Sequence, residues 1–377
     1  MTRRRWPGRL IAGAAVATLV AGCASGATVA PSMTALESPG TGPTVPPSAR
    51  PSPTAESITG VVPVSGYETC QTPAFASPTT SGPTGAASEV AWQFRNGPVA
   101  CDSRTNPVVQ GAVTGQWNID QWAPVQPGLA APDSAGAYVQ WGTRRIEAAR
   151  GSWEGRSTGV YSADRGNIIV TWYKGTGGYA GLGYFELLSG PATGMNILGQ
   201  IFPGDPPSLA GLPPVTLPMP SPNVTVVPTP APLSLTKTIP YGPVTVVQGT
   251  SDYTYIDFEN GGVWGGITTF GDRRLKGTFL GTPWMMQSWG ATGDSLGEGI
   301  QYGSSRIENA GGIWQGQASG MFNDQGDVIV MWYRGTGGYA GLGYFDLFTR
   351  SDLFGPGSGG IYGADFGQIF PGDPPTP

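Results

Sequence analysis

The side chains able to do chemistry recur at matched positions in two halves of the chain. The stretch Trp172–Phe185 returns almost unchanged as Trp332–Phe345, so the chain is an internal duplication. Few charged positions survive in both copies, and they pair Arg145 with Arg306, Glu147 with Glu308, Lys174 with Arg334 and Glu186 with Asp346. Repeated carboxylates could serve as the acid and the nucleophile or base of a glycoside hydrolase, whereas repeated cations could hold a polar ligand.

Catalysis would depend on how the repeated acids lie in space. The catalytic candidates are Glu147 and Glu186 in the first copy and Glu308 and Asp346 in the second. Carboxyl groups about 5 Å apart suit a retaining hydrolase, and groups about 6.5–9.5 Å apart suit an inverting one. Sequence alone sets neither distance, so catalysis is the alternative hypothesis.

Ligand binding by the repeated cations and tyrosines is the main hypothesis. Arg145 and Glu147 share a face of a strand because they are two residues apart. Such a pair either orients a polar ligand at the mouth of a barrel or forms an ion pair at its rim. The tyrosines flank a glycine-rich turn, where exposed rings could stack on sugars or apolar ligands, or instead pack within the hairpin. The ligand-binding candidates are Arg145, Lys174, Tyr173, Tyr179, Arg306, Arg334, Tyr333 and Tyr339.

Composition excludes several function classes. Histidine is absent, which removes Ser-His-Asp and Cys-His mechanisms and the commonest metal ligand, so neither a metal nor a cofactor is predicted. Charged residues make up 12% of the chain, against roughly 25% in typical soluble domains, and the net charge is −5. A surface of uncharged polar residues suits an extracellular β protein, and the acidic balance argues against nucleic acid as a partner.

The N-terminus resembles the signal of bacterial lipoproteins. Arginines precede an apolar run, Leu10–Val20, that is too short to span a membrane as a mature helix. The tetrapeptide Val20–Cys23 is similar to a lipobox, which implies cleavage before Cys23 and acylation of its thiol. We therefore predict an exported protein, lipid-anchored to the outer face of the bacterial cytoplasmic membrane, with either the general or the twin-arginine export route.

Cys70 and Cys101 are the two remaining cysteines, and both lie in the first copy. An exported protein meets oxidising conditions, so a disulfide between them is predicted. Because the second copy lacks the pair, the disulfide is an addition to the repeated fold.

Composition divides the chain into five segments. Two tracts rich in Pro, Ser, Thr and Ala have too few apolar side chains to fold, and we predict a flexible tether and a semi-rigid linker. Two bodies of roughly 140 residues remain, each large enough for one core. The segments are a lipoprotein signal peptide (1–22), a disordered tether (23–59), a first domain (60–205), a Pro-rich linker (206–243) and a second domain (244–377).

The folded segments are expected to be β throughout. Runs of β-branched and aromatic residues alternate with turn residues, and no helical period is sustained after the signal peptide. The predicted fold class is all-β, with two tandem antiparallel β-barrels of about seven to eight strands each. Strands of the first domain are expected near Val61–Thr69, Val90–Phe94, Val108–Gly115, Ala137–Glu147, Gly151–Tyr161, Asn167–Tyr173 and Tyr179–Leu188.

The glycine-rich stretch is predicted to be architectural. Gly175, Gly177 and Gly181 are spaced like a dinucleotide-binding fingerprint, but a strand follows them where that site needs a helix. Small residues here indicate a close backbone approach or a bend in the sheet. Trp172 shares a strand face with Val170 and is expected in a core.

The sequence Gly-Thr-Gly-Gly-Tyr-Ala-Gly at residues 175–181 resembles hairpins of bacterial members of the allene oxide cyclase/dirigent-like β-barrel superfamily. It is more similar still to secreted bacterial proteins that carry Trp-Tyr-Lys-Gly-Thr-Gly-Gly-Tyr-Ala-Gly-Leu. The resemblance covers roughly the last third of each domain. It implies an eight-stranded up-and-down barrel. Some members act on hydrophobic small molecules, but their catalytic residues have no matching motif in this chain.

These features together predict a cell-surface lipoprotein whose repeated barrels bind a small apolar molecule, a carbohydrate or a partner protein, with acylated Cys23 as the membrane contact. The alternatives are an isomerase or cyclase, a glycan hydrolase, and a structural envelope protein without a ligand. An open barrel interior in which Arg145, Glu147 and Glu186 converge would favour an enzyme or a small ligand. A filled interior would leave the outer surface as the binding site.

Overall fold

The computed structural model places every described residue in one compact unit, residues 51–377. The predicted signal peptide, Cys23 and the tether as far as residue 57 lie outside the described residues. No helix among the described residues has the length and apolar character needed to cross a bilayer. The described residues are 58–71, 73, 75–76, 78–83, 89–124, 137–163, 165–215, 238–241, 244–257, 263–268, 272–289, 298–323, 326–350 and 361–375.

The first copy of the repeat forms one antiparallel sheet. Its strands are β1 (Val62–Cys70), β2 (Thr79–Pro83), β3 (Glu89–Arg104), β4 (Gly111–Pro124), β5 (Tyr138–Ala148), β6 (Gly151–Ser162), β7 (Gly166–Gly175), β8 (Leu182–Gly190) and β9 (Met195–Pro203). Strands β2 to β9 pair with their neighbours in chain order, and β1 pairs with β9. A further ladder joins β1 to β3 between Tyr67–Cys70 and Cys101–Arg104.

The second copy forms an equivalent antiparallel sheet. Its strands are β10 (Thr238–Tyr241), β11 (Val244–Asp257), β12 (Val263–Thr268), β13 (Gly277–Trp289), β14 (Glu298–Asn309), β15 (Gly312–Asn323), β16 (Gly326–Gly337), β17 (Leu342–Arg350) and β18 (Ile361–Pro371). All neighbours pair in chain order, and β11 also pairs with β18 from Thr245 to Tyr253.

The all-β prediction is confirmed, although several strands differ from those expected. Strand β3 runs far beyond Phe94 because a register shift between Phe94 and Gly97 lets the ladder continue, with Asn96 in the left-handed region. Strand β9 was not expected. It supplies the neighbour that β1 needs, so the sheet is larger than local patterning indicated.

The glycine-rich stretch forms the connection between β7 and β8, as expected. A 3₁₀ turn covers Gly177–Tyr179, and Gly177 has a φ of +62°, a conformation that side chains with a Cβ rarely adopt. Its counterpart Gly337 has a φ of +64°. The connection therefore has the same backbone in both copies, and it opens no phosphate-binding helix.

Each sheet has its own aromatic core on one face. In the first, Trp153 stacks on Tyr179 with ring centroids 5.1 Å apart, and Tyr173 stacks on Tyr184 at 5.3 Å. The equivalent distances in the second sheet are 5.0 Å and 5.4 Å. We call these the inner cores. Successive strand residues alternate sides, so Tyr173 enters the inner core while Trp172 faces the other way.

The two sheets pack against each other through a third core, here called the junction. It joins Val160, Val170 and Phe185 of the first sheet to Val330 and Phe345 of the second. Trp172 packs against this core. The prediction that it faces a core is therefore correct, but that core is shared with the other sheet.

The junction is nearly symmetric. Gln200 Nε2 donates to the Phe322 carbonyl over 3.1 Å, and its counterpart Gln368 donates to the Tyr161 carbonyl over 2.8 Å. The ring pairs Trp122–Phe370 and Phe202–Trp289, which are also repeat counterparts, each have centroids 5.8 Å apart. The halves of one chain thus meet as two subunits of a symmetric dimer do. A division into two independent domains is not tested by this packing and stays a prediction.

Candidate functional site

The inner core of the first sheet contains a buried cluster of charges. Arg144 contacts Glu68 through Nη2, and its Nη1 lies 3.5 Å from Glu186 Oε2. The hydroxyl of Tyr173 donates to Glu186 Oε2 over 2.8 Å, and that of Tyr184 donates to Oε1 over 3.1 Å. All five side chains are buried. The cluster joins strands β1, β5, β7 and β8, so it ties together distant parts of the sheet.

Burial controls the protonation of this cluster. Burial raises the pKa of Glu68 to about 7; nearby Arg144 opposes the increase, and Glu186 adds to it. Burial alone would lower the pKa of Arg144, but Glu68, Tyr173 and Glu186 raise it above its usual range. Burial also raises the pKa values of Tyr173 and Tyr184, which therefore remain hydrogen-bond donors. The site holds a permanent guanidinium whose Glu68 partner titrates near neutral pH.

No equivalent charge cluster is present among the described residues of the second sheet. Ser305 lies opposite Gly316 as Arg144 lies opposite Gly155, so serine replaces the arginine. Asp346 occupies the position of Glu186 and is fully buried. Burial raises the pKa of Asp346 to about 8, against a lowering contribution from a Tyr344 hydrogen bond. Asp346 is therefore mostly protonated at neutral pH.

Little space remains beside the charge cluster. A cavity of about 90 Å³ borders Glu68, Arg144 and Gln140. Ligand pockets are usually about 300–1,000 Å³, so this cavity is too small for most ligands. Gln140 is already engaged, because it accepts from Trp117 Nε1 over 2.8 Å and donates to Asn167 Oδ1 over 3.0 Å. The interior of the first sheet is filled by its own side chains.

The predicted disulfide between Cys70 and Cys101 is present and links paired positions of β1 and β3. Glu68 Oε1 lies 3.2 Å from the Cys70 sulfur. Since both sulfurs are in the disulfide, neither can donate a proton or bind a metal as a thiolate there.

The catalytic candidates do not converge. Glu147 has about half of its side chain exposed, whereas Glu186 is fully buried on the other face of the sheet. The second copy repeats this arrangement, with Glu308 at the surface and Asp346 inside. The structure does not bring the two acids of one copy together, because β5 turns Glu147 outward and β8 turns Glu186 inward.

The four tyrosine candidates are buried. Tyr173 and Tyr333 are fully buried, Tyr179 is 1% exposed and Tyr339 is 7% exposed. Of the two alternatives for these rings, the structure shows packing within the hairpin, because the turn folds Tyr179 back onto Trp153. These rings stabilise the inner cores and cannot stack on an external ligand.

The cationic candidates lie at the outer surface. Arg145 contacts Glu147 and Glu154, and Arg306 lies 2.8 Å from Glu308. Lys174 Nζ is 2.7 Å from Asp205 Oδ2, and Arg334 Nε is 2.8 Å from Asp373 Oδ1. The last two pairs connect the proline-rich segments that follow β9 and β18 to β7 and β16. Arg145, Lys174 and Arg334 are each about half exposed, and ion pairs of this exposed kind contribute little stability, so these three cations remain available to a ligand.

Two repeat-related grooves follow this outer surface. The first-sheet groove has a volume of about 820 Å³ and is bounded on one side by Pro206–Ala210. Its other lining residues include Thr143, Arg145, Glu154, Arg156, Trp172 and Lys174. Among the described residues, Arg156 has no carboxylate within ion-pair distance. This groove brings together the candidates Arg145 and Lys174 and adds Thr143 and Arg156.

The second-sheet groove has the matching wall but a volume of about 440 Å³. Its lining includes the repeat counterparts Ser304, Gln315, Gln317, Trp332 and Arg334. Leu209, Leu212 and Pro214 of the predicted linker also line it. The first residues of that segment therefore lie against the second sheet, and within the segment residues 216–237, 242 and 243 are outside the described chain.

Reasoning from the duplication overlooked Arg144, Glu68 and Arg156. Arg144 and Arg156 were passed over because Ser305 and Gln317 replace them in the second copy. The position of Arg144 in β5 is itself a signal. It lies between two exposed positions, and its neighbours on its own face of the strand are apolar.

No protein family, curated protein or solved structure matches this chain. The likeness to the allene oxide cyclase/dirigent-like superfamily therefore rests on the sequence motifs alone.

Proposed function

We propose that this protein is a membrane-anchored cell-surface lipoprotein that binds its ligand on the outside of the first sheet, in the first-sheet groove. One observation carries the proposal: the inner core is filled around Arg144, while a groove of about 820 Å³ outside collects Arg145, Arg156, Lys174 and Trp172. The groove is open and carries cationic side chains, so it suits a segment of a polymer better than a small apolar molecule.

The architecture proposed for this function is two tandem barrels. The β1–β3 and β11–β18 ladders support closure, since each leads the meander back to a strand near its start. Acylation of Cys23 and the tether would hold the barrels at the outer face of the membrane.

An enzyme is the weaker candidate. A hydrolase needs two carboxyl groups at one bond, and Glu147 and Glu186 lie on opposite faces of the sheet. An isomerase or cyclase would need an interior site, and the cavity beside Arg144 holds only about 90 Å³.

The test is a binding screen of the full-length protein in detergent against arrays of envelope glycans and of peptides. We expect at least one ligand class to bind, and Arg156→Ala to weaken that binding. Glu186→Gln, which changes the interior alone, serves as the matched control and should leave the affinity unchanged in protein that still folds. Binding that is lost with Glu186→Gln but retained with Arg156→Ala would place the site inside and contradict the proposal.

A further inference from the structure

The second-sheet groove shows how this surface holds a polypeptide. Gln317 Nε2 donates to the Leu209 carbonyl over 2.6 Å, and Ser304 Oγ donates to the Pro213 carbonyl over 2.6 Å. Arg306 Nη1 donates to the carbonyl of Val215 over 3.4 Å. All these acceptors are main-chain oxygens. The groove therefore recognises the backbone of the segment, with apolar side chains beside it.

The same donor positions exist on the first sheet. Thr143 pairs with Arg156 across β5 and β6, as Ser304 pairs with Gln317 across β14 and β15. Arg145 is two residues beyond Thr143, as Arg306 is two residues beyond Ser304. Thr143 Oγ1 accepts from the Gln116 amide over 3.3 Å, which leaves its own proton to donate.

Residues 206–210 line one side of the first-sheet groove. Among the described residues, however, Arg145 donates to Glu147 and Glu154, and neither it nor Thr143 nor Arg156 donates to a main-chain carbonyl of that segment. The repeat has thus kept the wall of a peptide site in both halves, and the chain itself occupies one of them.

The chemistry of the seated segment defines the ligand. Its sequence from Pro206 to Val215 is Pro-Pro-Ser-Leu-Ala-Gly-Leu-Pro-Pro-Val. Proline offers a carbonyl but no N–H, and it favours an extended backbone with little entropy left to lose on binding. Trp172 provides an aromatic wall of the kind that proline-rich segments contact in known recognition grooves. Arg156, where the second sheet has Gln317, adds a positive charge.

We propose that the first-sheet groove binds an extended, proline-rich segment of a partner protein, in the manner in which the second-sheet groove holds residues 209–215. The inference rests on the proposed function and names its ligand class. Thr143, Arg145 and Arg156 donate to backbone carbonyls of the partner, and Trp172 packs against its proline and leucine side chains.

The experiment measures binding of a fluorescent peptide with the sequence of residues 206–215 to the full-length protein, by fluorescence anisotropy. We expect saturable binding. Arg156→Ala and Thr143→Val should each weaken it about tenfold, the effect of losing roughly 1.4 kcal/mol of hydrogen bonding. Ser304→Ala is the matched control in the occupied groove and should leave the affinity within about twofold. A peptide with alanine in place of every proline should bind several-fold more weakly.

Several outcomes would overturn the inference. They are no binding up to millimolar peptide, equal binding by Arg156→Ala, and loss of binding with Ser304→Ala alone. Glycan binding that depends on Arg156, without peptide binding, would remove the peptide assignment and leave the proposed function intact. If the peptide binds only after deletion of residues 24–57, the occupant of the groove is this chain's own segment and not a partner protein. If the protein dimerises in sedimentation experiments and the dimer depends on Arg156, the occupant is a second copy of the chain. Circular dichroism confirms that each variant folds.

Discussion

Trp172 and Trp332 hold the junction through the same hydrogen bond made in opposite directions. The indole N–H of Trp172 donates to Ser319 Oγ over 3.2 Å, and that of Trp332 donates to Thr158 Oγ1 over 3.1 Å. Ser319 lies opposite Val330 as Thr158 lies opposite Val170, so the acceptors are repeat counterparts too. The junction is therefore an internal version of the self-complementary contact that a homodimer makes.

Replacing either tryptophan by phenylalanine should destabilise the protein. Trp172→Phe and Trp332→Phe each remove a donor from a partly buried acceptor and leave part of the indole volume empty. We expect a loss of about 1–3 kcal/mol in the free energy of unfolding for each, measured by urea denaturation. Leu198→Ala, at a side chain that is 43% exposed, is the control and should change stability by less than about 0.5 kcal/mol. Equal stability of all three variants would show that the junction is not a stabilising contact.

Removal of Arg144 should be more damaging than any surface change. Arg144→Met leaves Glu68 and Glu186 buried without their cation, and breaking a buried ion pair in this way typically costs about 3–5 kcal/mol. Ser305→Ala at the matched position of the second sheet removes a buried hydroxyl that has no hydrogen-bond partner among the described residues, so it should be neutral or slightly stabilising. Adding Glu68→Gln and Glu186→Gln to Arg144→Met should recover part of the loss. If the triple variant is no more stable than Arg144→Met, unpaired charge is not the cause.

Much of the fold could be predicted from local pattern. Strand alternation and the turn residues indicated an all-β chain, because these patterns depend on neighbours in sequence. The export signal indicated the Cys70–Cys101 disulfide, because disulfides form in the oxidising compartment outside the cytoplasm. The position of Trp172 on an apolar face was also readable. The partner of Trp172 was not readable, because Ser319 is 147 residues away in sequence and their contact depends on how the two sheets pack.

The candidate site was harder to predict for a related reason. Comparing the two copies favours residues that both retain, and these maintain the common fold: Tyr173 and Tyr179 became core residues. The two halves differ at residues that only one copy has, such as Arg144 in the inner core and Arg156 in the first-sheet groove. Proline content predicted a spacer after Pro206, yet the side-chain donors that capture its carbonyls lie about 90 to 110 residues further along the chain.

Gly181, which ends the β7–β8 connection, and Gly183, which lies in β8, should each be intolerant of alanine for a different reason. A Cβ on Gly183 would lie 2.4 Å from the ring of Phe202, which is buried, so Gly183→Ala should cost about 1–3 kcal/mol through overpacking. A Cβ on Gly181 would meet nothing within 4 Å, but its φ of +84° costs alanine about 1 kcal/mol. Gly181→Asn should be milder than Gly181→Ala, since asparagine tolerates this conformation. Thermal unfolding of the three variants checks the order, and a larger loss for Gly181→Ala than for Gly183→Ala would contradict it.

The stability of the protein should fall as the pH rises through neutrality. Burial raises the folded pKa of Glu68 to about 7 and that of Asp346 to about 8, above the values of 4.5 and 3.8 for the free side chains. The folded chain therefore binds these protons more tightly than the unfolded chain does. Their contribution to stability is present in full below about pH 4 and is lost as the pH rises through 7 and 8, with a slope of up to about 1.4 kcal/mol per pH unit for each group.

Asp346→Asn separates this effect from other titrations. The amide has nearly the shape of the protonated acid and cannot ionise, so the variant should lose stability less steeply than the wild type between pH 6 and 8. Glu68→Gln should flatten the profile mainly below pH 7. Urea unfolding at pH 5, 6.5 and 8 measures both. Asp272, whose pKa is lowered by Arg274 against the effect of burial, titrates below this range and does not contribute to it. A wild-type slope retained in Asp346→Asn would mean that this carboxyl is ionised in the folded protein, and the second inner core would then hold a charge that no described cation offsets.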